Sequence, residues 1–397
     1  MKIAAVICEY NPFHKGHAYH LAETRRRTGC DYVIGIMSGS FVQRGEPAAL
    51  DKWVRTQMAL SCGLDAVFEL PCVYAISSAQ YFARGGVGLA QALGADVLSF
   101  GSESEMDVLQ RYVDARKMDA YTQKLRKYLN EGLSYPQAAT RAYEKDLERI
   151  LPNDLLGIEY MATMGELGAT LEPVAVPRLH IGHDSTAKDQ GFASAMQIRR
   201  ELCKDKTGDT VQAYIPEDAY AILQDWVQRN GTASMETYDL PILTRIRSLG
   251  KDALDQMPFA GGGLGSLVYN HACNVCTVSE LISACTSKYY MTTRISRFLL
   301  HILLDIRVPL CTEPVPYGRL LGFRRDSHGL IGELERRSSV PIVKSVAQYR
   351  DSLPADSAAK KILEIDVRAQ DLHGLAFTGE QVMKAGRDYT VPMAIVG

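Results

Sequence analysis

The 397-residue sequence has no apolar run of the roughly 20 residues needed to span a bilayer, so no membrane-spanning role is expected. It also has almost no charge excess. Its 44 Lys and Arg against 46 Asp and Glu give a formal -2, which excludes a globally basic nucleic-acid coat but leaves room for a local basic face. The nine cysteines are odd in number and lack framework spacing, so reduced thiols in the cytoplasm are expected. Cys273 and Cys276 form a single pair near His271 and Cys285. A zinc site normally brings a second paired element, and no metal is assigned. Ala260-Gly-Gly-Gly-Leu-Gly-Ser266 has neither a following Lys-Ser/Thr nor a preceding apolar strand, and reads as a flexible turn rather than a phosphate loop. Met1 runs straight into an apolar stretch without a charged-then-apolar leader, so no cleaved segment is expected. With 46% hydrophobic and 23% charged residues, the composition suits an ordinary globular chain of two or three domains.

What the sequence does have is concentrated near its start. Ile3 to Cys8 is a short apolar run, the pattern of a strand buried on both faces of a parallel sheet. Tyr10-Asn-Pro-Phe13 must turn, because Pro12 fixes its own φ and biases Asn11 away from helix. His17, His20, Leu21, Thr24 and Arg25 then fall at helical spacing. His14, Lys15, Gly16 and His17 therefore sit where a strand hands over to a helix N-terminus. Unpaired N–H groups and the positive end of the dipole suit phosphate there. Gly16 lets a nucleotide approach the backbone closely. Two imidazoles at i and i+3 share one face and can donate to the oxygens of a phosphoryl transition state. A helix with Arg25, Arg26 and Arg27, then a second buried strand at Tyr32–Met37, completes a βαβ unit.

His14-Lys-Gly-His17 after an N-terminal strand resembles the HxGH motif of the nucleotidylyltransferase superfamily, whose two histidines contact ATP phosphates during attack on the α-phosphorus. The wider string Glu9-Tyr-Asn-Pro-Phe-His-Lys-Gly-His17 is similar to that of the bacterial tRNA(Met) cytidine acetate ligases. The resemblance implies an α/β protein. An N-terminal Rossmann-like parallel sheet of nucleotidylyltransferase type would span residues 1–203. A mainly helical domain would follow over 204–310, then a small C-terminal α+β segment over 311–397 that contributes to RNA binding. It implies ATP as co-substrate, accompanied by Mg²⁺. Catalytic roles fall on His14, Lys15 and His17. ATP contacts come from the whole run of Ile7, Cys8, Glu9, Tyr10, Asn11, Pro12, Phe13, His14, Lys15, Gly16, His17, Ala18, Tyr19 and His20.

Further ligand positions follow along the chain. Ser38-Gly-Ser-Phe-Val-Gln-Arg-Gly-Glu-Pro-Ala48 lies after the second strand, at the sheet edge where open α/β folds bind ligands. A plain polar loop is the bland reading. The resembled family carries nearly this string, with Asn commonly where Ser40 stands, while Gln43 and Arg44 match. This loop is the expected neighbourhood of acetate or cytidine, with Ser38, Gln43 and Arg44 as contacts. A third strand at Ala66–Pro71 and a fourth ending at Gly101 follow, the latter in a Phe-Gly-Ser-Glu string that the resemblance marks as an ATP contact. Asn153 or Asp154 caps a helix, and the resemblance makes Asn153 an ATP contact as well. Arg178, after a fifth strand at Leu171–Val176, can fork onto phosphate. Phe192-Ala-Ser-Ala-Met-Gln-Ile-Arg-Arg200 resembles the superfamily's second motif. Ser194 is its cap and phosphate contact, and Met196 stands where Thr is common.

The polar stretch Lys204–Asp209 marks the end of the nucleotide domain, and mostly helix-period sequence runs from Ala213 to Leu310. From Thr286 to Arg350 there are eleven Lys and Arg but only five acids, so positive charge is gathered in one window. Tyr289, Tyr290, Phe298, Tyr317 and Phe323 interleave with it. Cations for phosphates and aromatics for unpaired bases are what RNA-loop recognition demands, although charge runs are commonly just solvated faces. Pro316-Tyr-Gly-Arg-Leu-Leu-Gly-Phe323 resembles a string of the same family. Arg294, Arg297 and Arg319 are the expected RNA contacts. The resemblance thus implies a ligase that activates acetate as acetyl-adenylate and acetylates the wobble cytidine of elongator tRNA(Met) to N(4)-acetylcytidine. A small-molecule adenylyltransferase would use the same histidines without the basic aromatic window. A non-catalytic RNA-binding protein would not need both His14 and His17.

Overall fold

The computed structural model describes residues 1–131, 133, 135–143, 150, 154–178, 193–205 and 207–397. Its strands are β1 (Ile3–Cys8), β2 (Tyr32–Ser38), β3 (Phe41–Val42), β4 (Glu46–Pro47), β5 (Ala66–Leu70), β6 (Val97–Ser102), β7 (Glu172–Pro177), β8 (Gly318–Arg324), β9 (Ile342–Val343) and β10 (Ala394–Val396). An eight-stranded sheet runs β10-β8-β5-β2-β1-β6-β7, with β9 paired to β8. From β5 to β7 all pairings are parallel, which requires crossovers and leaves both faces covered.

That coverage explains the uninterrupted apolar runs. Side chains alternate across the sheet, so Ile3, Ala5, Ile34 and Ile36 enter one core while Ala4, Val6, Val33 and Met37 enter the other. The chain leaves β1 to one side for β2, and β6 lies on the other side. The crevice past the carboxyl ends of β1 and β6 is therefore the switch point of this sheet, the place where such folds take ligands.

The helix that follows β1, α1 (Lys15–Thr28), starts at that crevice. Arg25, Arg26 and Arg27 occupy its last turn and oppose the dipole there. Gly29 ends it at φ 59, donating its N–H to the Arg25 carbonyl. The next helix, α2 (Lys52–Ser61), is buried along nearly its whole length, including Lys52 and Arg55.

The segment 311–397, read as a small α+β unit, adds its strands to this same sheet. β8 runs antiparallel to β5 with a register shift at Val67/Phe68, and β10 and β9 run parallel to β8. Between residues 217 and 303 the chain is helical, with its longer helices at Glu217–Asn230, Asp239–Leu249 and Thr292–Leu303. No helix among the described residues is long and apolar enough to cross a membrane.

Candidate active site

β1 delivers the chain into a turn whose shape is held from several sides. Tyr10 sits at φ 43, a left-handed conformation that a bulky residue keeps only when its surroundings impose it. Its ring lies 4.8 Å from those of Phe13 and His17. Arg55 of α2 is wholly buried and donates to the carbonyls of Glu9 at 2.7 Å, Ser38 at 2.9 Å and Leu50 at 3.1 Å, and also to Gly39. One guanidinium thus ties the ends of β1 and β2 together. The Asn11 side-chain oxygen accepts from the Ala49 N–H at 2.8 Å, and its carbonyl accepts from Arg199 at 3.0 Å.

His14 is the N-cap of α1. Its Nδ1 accepts the Gly16 N–H at 3.1 Å, and His17 Nδ1 accepts the His14 N–H at 3.2 Å. This is a capping box built from two imidazoles. A ring nitrogen that accepts carries no proton, so each neutral ring holds its proton on Nε2. The rings stack with centroids 3.7 Å apart and planes 23° from parallel, leaving two Nε2–H donors on adjoining rings. Gly16 differs from its reading as a bare-backbone phosphate contact, because its N–H is spent on His14. A Cβ there would stand 2.9 Å from His14 Cε1, so the glycine makes room for the His14 ring.

Charge at the turn is arranged differently from a cluster of imidazolium ions. Burial pushes His14 down to about 4, and the Arg178 guanidinium pushes the same way. His20 is pushed to about 4 by the same two causes. His17 lies well below its ordinary value through burial, with His14, His20 and Arg178 adding to it. All three are neutral at pH 7 and act as hydrogen-bonding groups, not charges. Lys15 at the start of α1 is half-buried, and Arg178, whose charge lowers all three imidazoles, is exposed. His20 Nε2 lies 3.1 Å from Ser99 Oγ, which also meets Thr24 Oγ1 at 2.7 Å, pinning α1 to β6.

Gly101 and Arg178 are neighbours. Gly101 on β6 pairs with Val176, and a Cβ at Gly101 would lie 3.6 Å from Arg178 Cγ. Ser194 caps the helix Ala195–Lys204, its Oγ accepting from the Gln197 N–H at 3.2 Å. Arg199 of that helix reaches Asn11 and also Glu46 at 3.2 Å, so the second motif docks on the first turn. Asn153 lies outside the described residues.

The Ser38–Ala48 segment is a short hairpin, Phe41 opposite Pro47 and Val42 opposite Glu46. Ser38, read as a substrate contact, is fully buried, and its carbonyl is taken by Arg55. Gln43 donates its N–H to Glu9 Oε1 at 2.7 Å, and its carbonyl accepts from Arg297 at 3.2 Å. Gly45, at φ 82, lies so close to the next helix that a Cβ would stand 2.5 Å from the Arg297 nitrogen. The hairpin therefore links the end of β1 to the helix Thr292–Leu303. Gln43, Arg294 and Arg297 line one cavity of about 570 Å³, while Arg44 is exposed. Arg319 differs from its reading as an RNA contact. It is buried on β8 and bonded to Glu69 at 2.9 Å and Asp388 at 2.7 Å, because a charge inside the sheet must be paired. Arg55 and Lys52 were missed as organising residues. Two cations one helical turn apart were the available signal, and it resembles any solvated face.

The parallel sheet, the switch-point crevice and the histidine-capped helix define an α/β phosphate-handling site. The family model for HIGH Nucleotidyl Transferase matches residues 1–388. The tRNA(Met) cytidine acetate ligase of Thermoanaerobacter sp. (strain X514) is 35% identical over 407 residues, covering 99% of each chain. The tRNA(Met) cytidine acetate ligase of Alkaliphilus metalliredigens is 32% identical, covering 98% of this chain and 97% of its own. The crystal structure of Thermotoga maritima TmcAL bound with alpha-thio ATP superposes with a TM-score of 0.92 at 28% identity, covering 100% of both chains. The chain belongs to the tRNA(Met) cytidine acetate ligase family of HIGH nucleotidyl transferases.

Proposed function

We propose that the protein joins acetate to ATP as acetyl-adenylate and passes the acetyl group to the wobble cytidine of elongator tRNA(Met). The observation that carries this reading is the pair of neutral, stacked imidazoles, each with Nδ1 occupied and Nε2–H open, in a chain of this family. In the first step an acetate oxygen attacks the α-phosphorus and pyrophosphate leaves. Acetate is ionised at neutral pH, so no base is needed; positioning and relief of developing charge are. His14 and His17 donate from Nε2 without titrating, and Lys15, Arg178 and Ser194 hold the remaining phosphate oxygens. Gly101 and Asn153 take the nucleoside. Mg²⁺ bound with ATP would add neutralising charge on the triphosphate beside Lys15 and Arg178. In the second step the cytidine amine attacks the acetyl carbonyl, AMP leaves, and the amine loses a proton. Gln43, Arg44, Arg294 and Arg297 face the RNA.

The test uses labelled ATP, labelled acetate and bulk bacterial tRNA, with His14→Ala and His17→Ala beside the wild type. Acetyl label enters tRNA only with wild type and ATP. AMP joined to a small acceptor with unlabelled RNA would instead identify an adenylyltransferase.

A further inference from the structure

We infer that the cavity beside the β3–β4 hairpin receives one unpaired nucleotide of the RNA, its base against the Phe259 ring and its phosphate on Arg294 and Arg297. This rests on the RNA-acetylation reading and assigns a place to the base that is modified. The cavity is distinct from the phosphate turn: neither His14, His17, Gly101, Arg178 nor Ser194 lines it. Its volume of about 570 Å³ lies within the range that encloses a small organic ligand.

Phe259 forms part of the cavity wall. It is 39% exposed and held at φ 65, a backbone conformation that a bulky side chain avoids. A strained residue that presents a large ring at a cavity wall points to a function for the ring. The ring is braced by Tyr81 at 6.0 Å and His301 at 5.4 Å between centroids, leaving it available for stacking. Unpaired bases are held on such aromatic platforms, because every base has a π-face.

Arg294 and Arg297 line the same cavity. Arg294 donates to the Gly261 carbonyl at 2.9 Å and lies over the Tyr290 ring at 5.1 Å. Arg297 donates to Gln43. Neither has a carboxylate partner among the described residues, although most other half-buried arginines here do. Burial and the neighbouring Arg294 push the Arg297 guanidinium down to about 10, which an arriving anion would reverse. Two unneutralised guanidiniums beside an aromatic wall match one nucleotide, anion and ring together.

Gln43 bonds through its N–H to Glu9, beside the phosphate turn, and through its carbonyl to Arg297. One residue therefore separates the cavity from the turn. An enzyme that acts on a base must take it out of its stack, and the Gln43 bridge sets this cavity beside the turn that carries His14 and His17.

Two variants and two readouts test the inference. Phe259→Gly removes the ring while accepting the positive φ without strain, and Phe259→Trp keeps a stacking surface. Acetate-dependent exchange of labelled pyrophosphate into ATP reports the first step without RNA, and acetyl label entering bulk tRNA reports the second. Phe259→Gly is expected to lower kcat/KM for tRNA by about 5- to 150-fold, the measured range for losing one base stack. Its exchange rate stays within about twofold of wild type, and Phe259→Trp restores transfer. Unchanged transfer in Phe259→Gly would overturn the inference. So would an equal fall in exchange, which would assign the cavity to ATP or acetate. A wild type with no acetate-dependent exchange would instead overturn the acetate-ligase reading itself.

Discussion

Burial acts in opposite ways on two polar regions of this molecule. At the phosphate turn it strips charge: His14, His17 and His20 are all held neutral, and His14 and His17 each keep one ring nitrogen open. Under β5 and β8 it preserves charge. Lys52 bonds Glu69 at 2.8 Å and Asp388 at 2.9 Å, and Arg319 bonds the same two carboxylates. Burial opposes ionisation there too, but Asp388 and Glu69 hold Arg319 above its ordinary value, and Arg319 and Lys52 hold Asp388 below its own. Two cations against two anions leave nothing over for a ligand. Desolvation neutralises a group that stands alone and spares one that is matched, so the first region is built to receive and the second to hold. Lys52 sits on α2 while Arg319 and Asp388 come from the C-terminal segment, so the closed cluster fastens that segment to the sheet.

The sharpest way to break this contrast is to unmatch the cluster. Asp388→Ala leaves Lys52 and Arg319 sharing one carboxylate and should cost about 3–5 kcal/mol of stability, read by denaturant unfolding. A loss below about 1 kcal/mol would mean the cluster is not what holds the C-terminal segment. At the turn the effect falls on chemistry. His17→Ala removes one Nε2–H donor and should slow acetate-dependent pyrophosphate exchange by about 10²–10³-fold. It should shift stability by only about 1 kcal/mol, the scale of a lost cap contact. Parallel loss of stability and exchange would show that His17 is structural. Gly16→Ala comes next. Its added methyl must displace the His14 ring it would meet at 2.9 Å, and a displaced donor lowers the exchange rate by up to about 10²-fold. Exchange at the wild-type rate would show that the His14 ring has room to yield.

The same contrast explains what could be read from the sequence. The strand–turn–helix order of the β1–α1 unit was legible because its interactions are local, the cap pairing His14 with Gly16 and His17 within one turn, whereas the use of Gly16 to make room for the His14 ring was not. The parallel strands were legible because burial on both faces leaves unbroken apolar runs. The ionic cluster was not, since its members lie at positions 52, 69, 319 and 388 and nothing in the chain announces their meeting. Arg319 and Arg297 look alike in a basic window; only the fold sends one into the sheet and the other to a cavity wall. Phe259 was hidden for a related reason. Its positive φ and its place on the cavity depend on the helices around it, which no local pattern encodes.

The smallest effect is expected where a histidine enzyme would usually show a large one, in the pH dependence around neutrality. An exposed imidazole titrates near 6.5, whereas His14 and His20 titrate near 4, so both are already neutral throughout the physiological range. Exchange should therefore hold level between about pH 6.5 and 8, with no step from these rings. The consequence appears in stability on the acid side. Unfolding returns each ring to its ordinary value, so between pH 6.5 and about 4 the unfolded chain binds protons that the folded chain refuses. Stability is then fully present above about 6.5 and is lost as pH falls through that window. Tm measured against pH should decline there, and less steeply in His14→Gln/His20→Gln, which carries no imidazole at either position. An identical decline in that variant would place the acid sensitivity elsewhere, with His17, His301 and His373 as the next imidazoles to test, since burial lowers all three in the same direction.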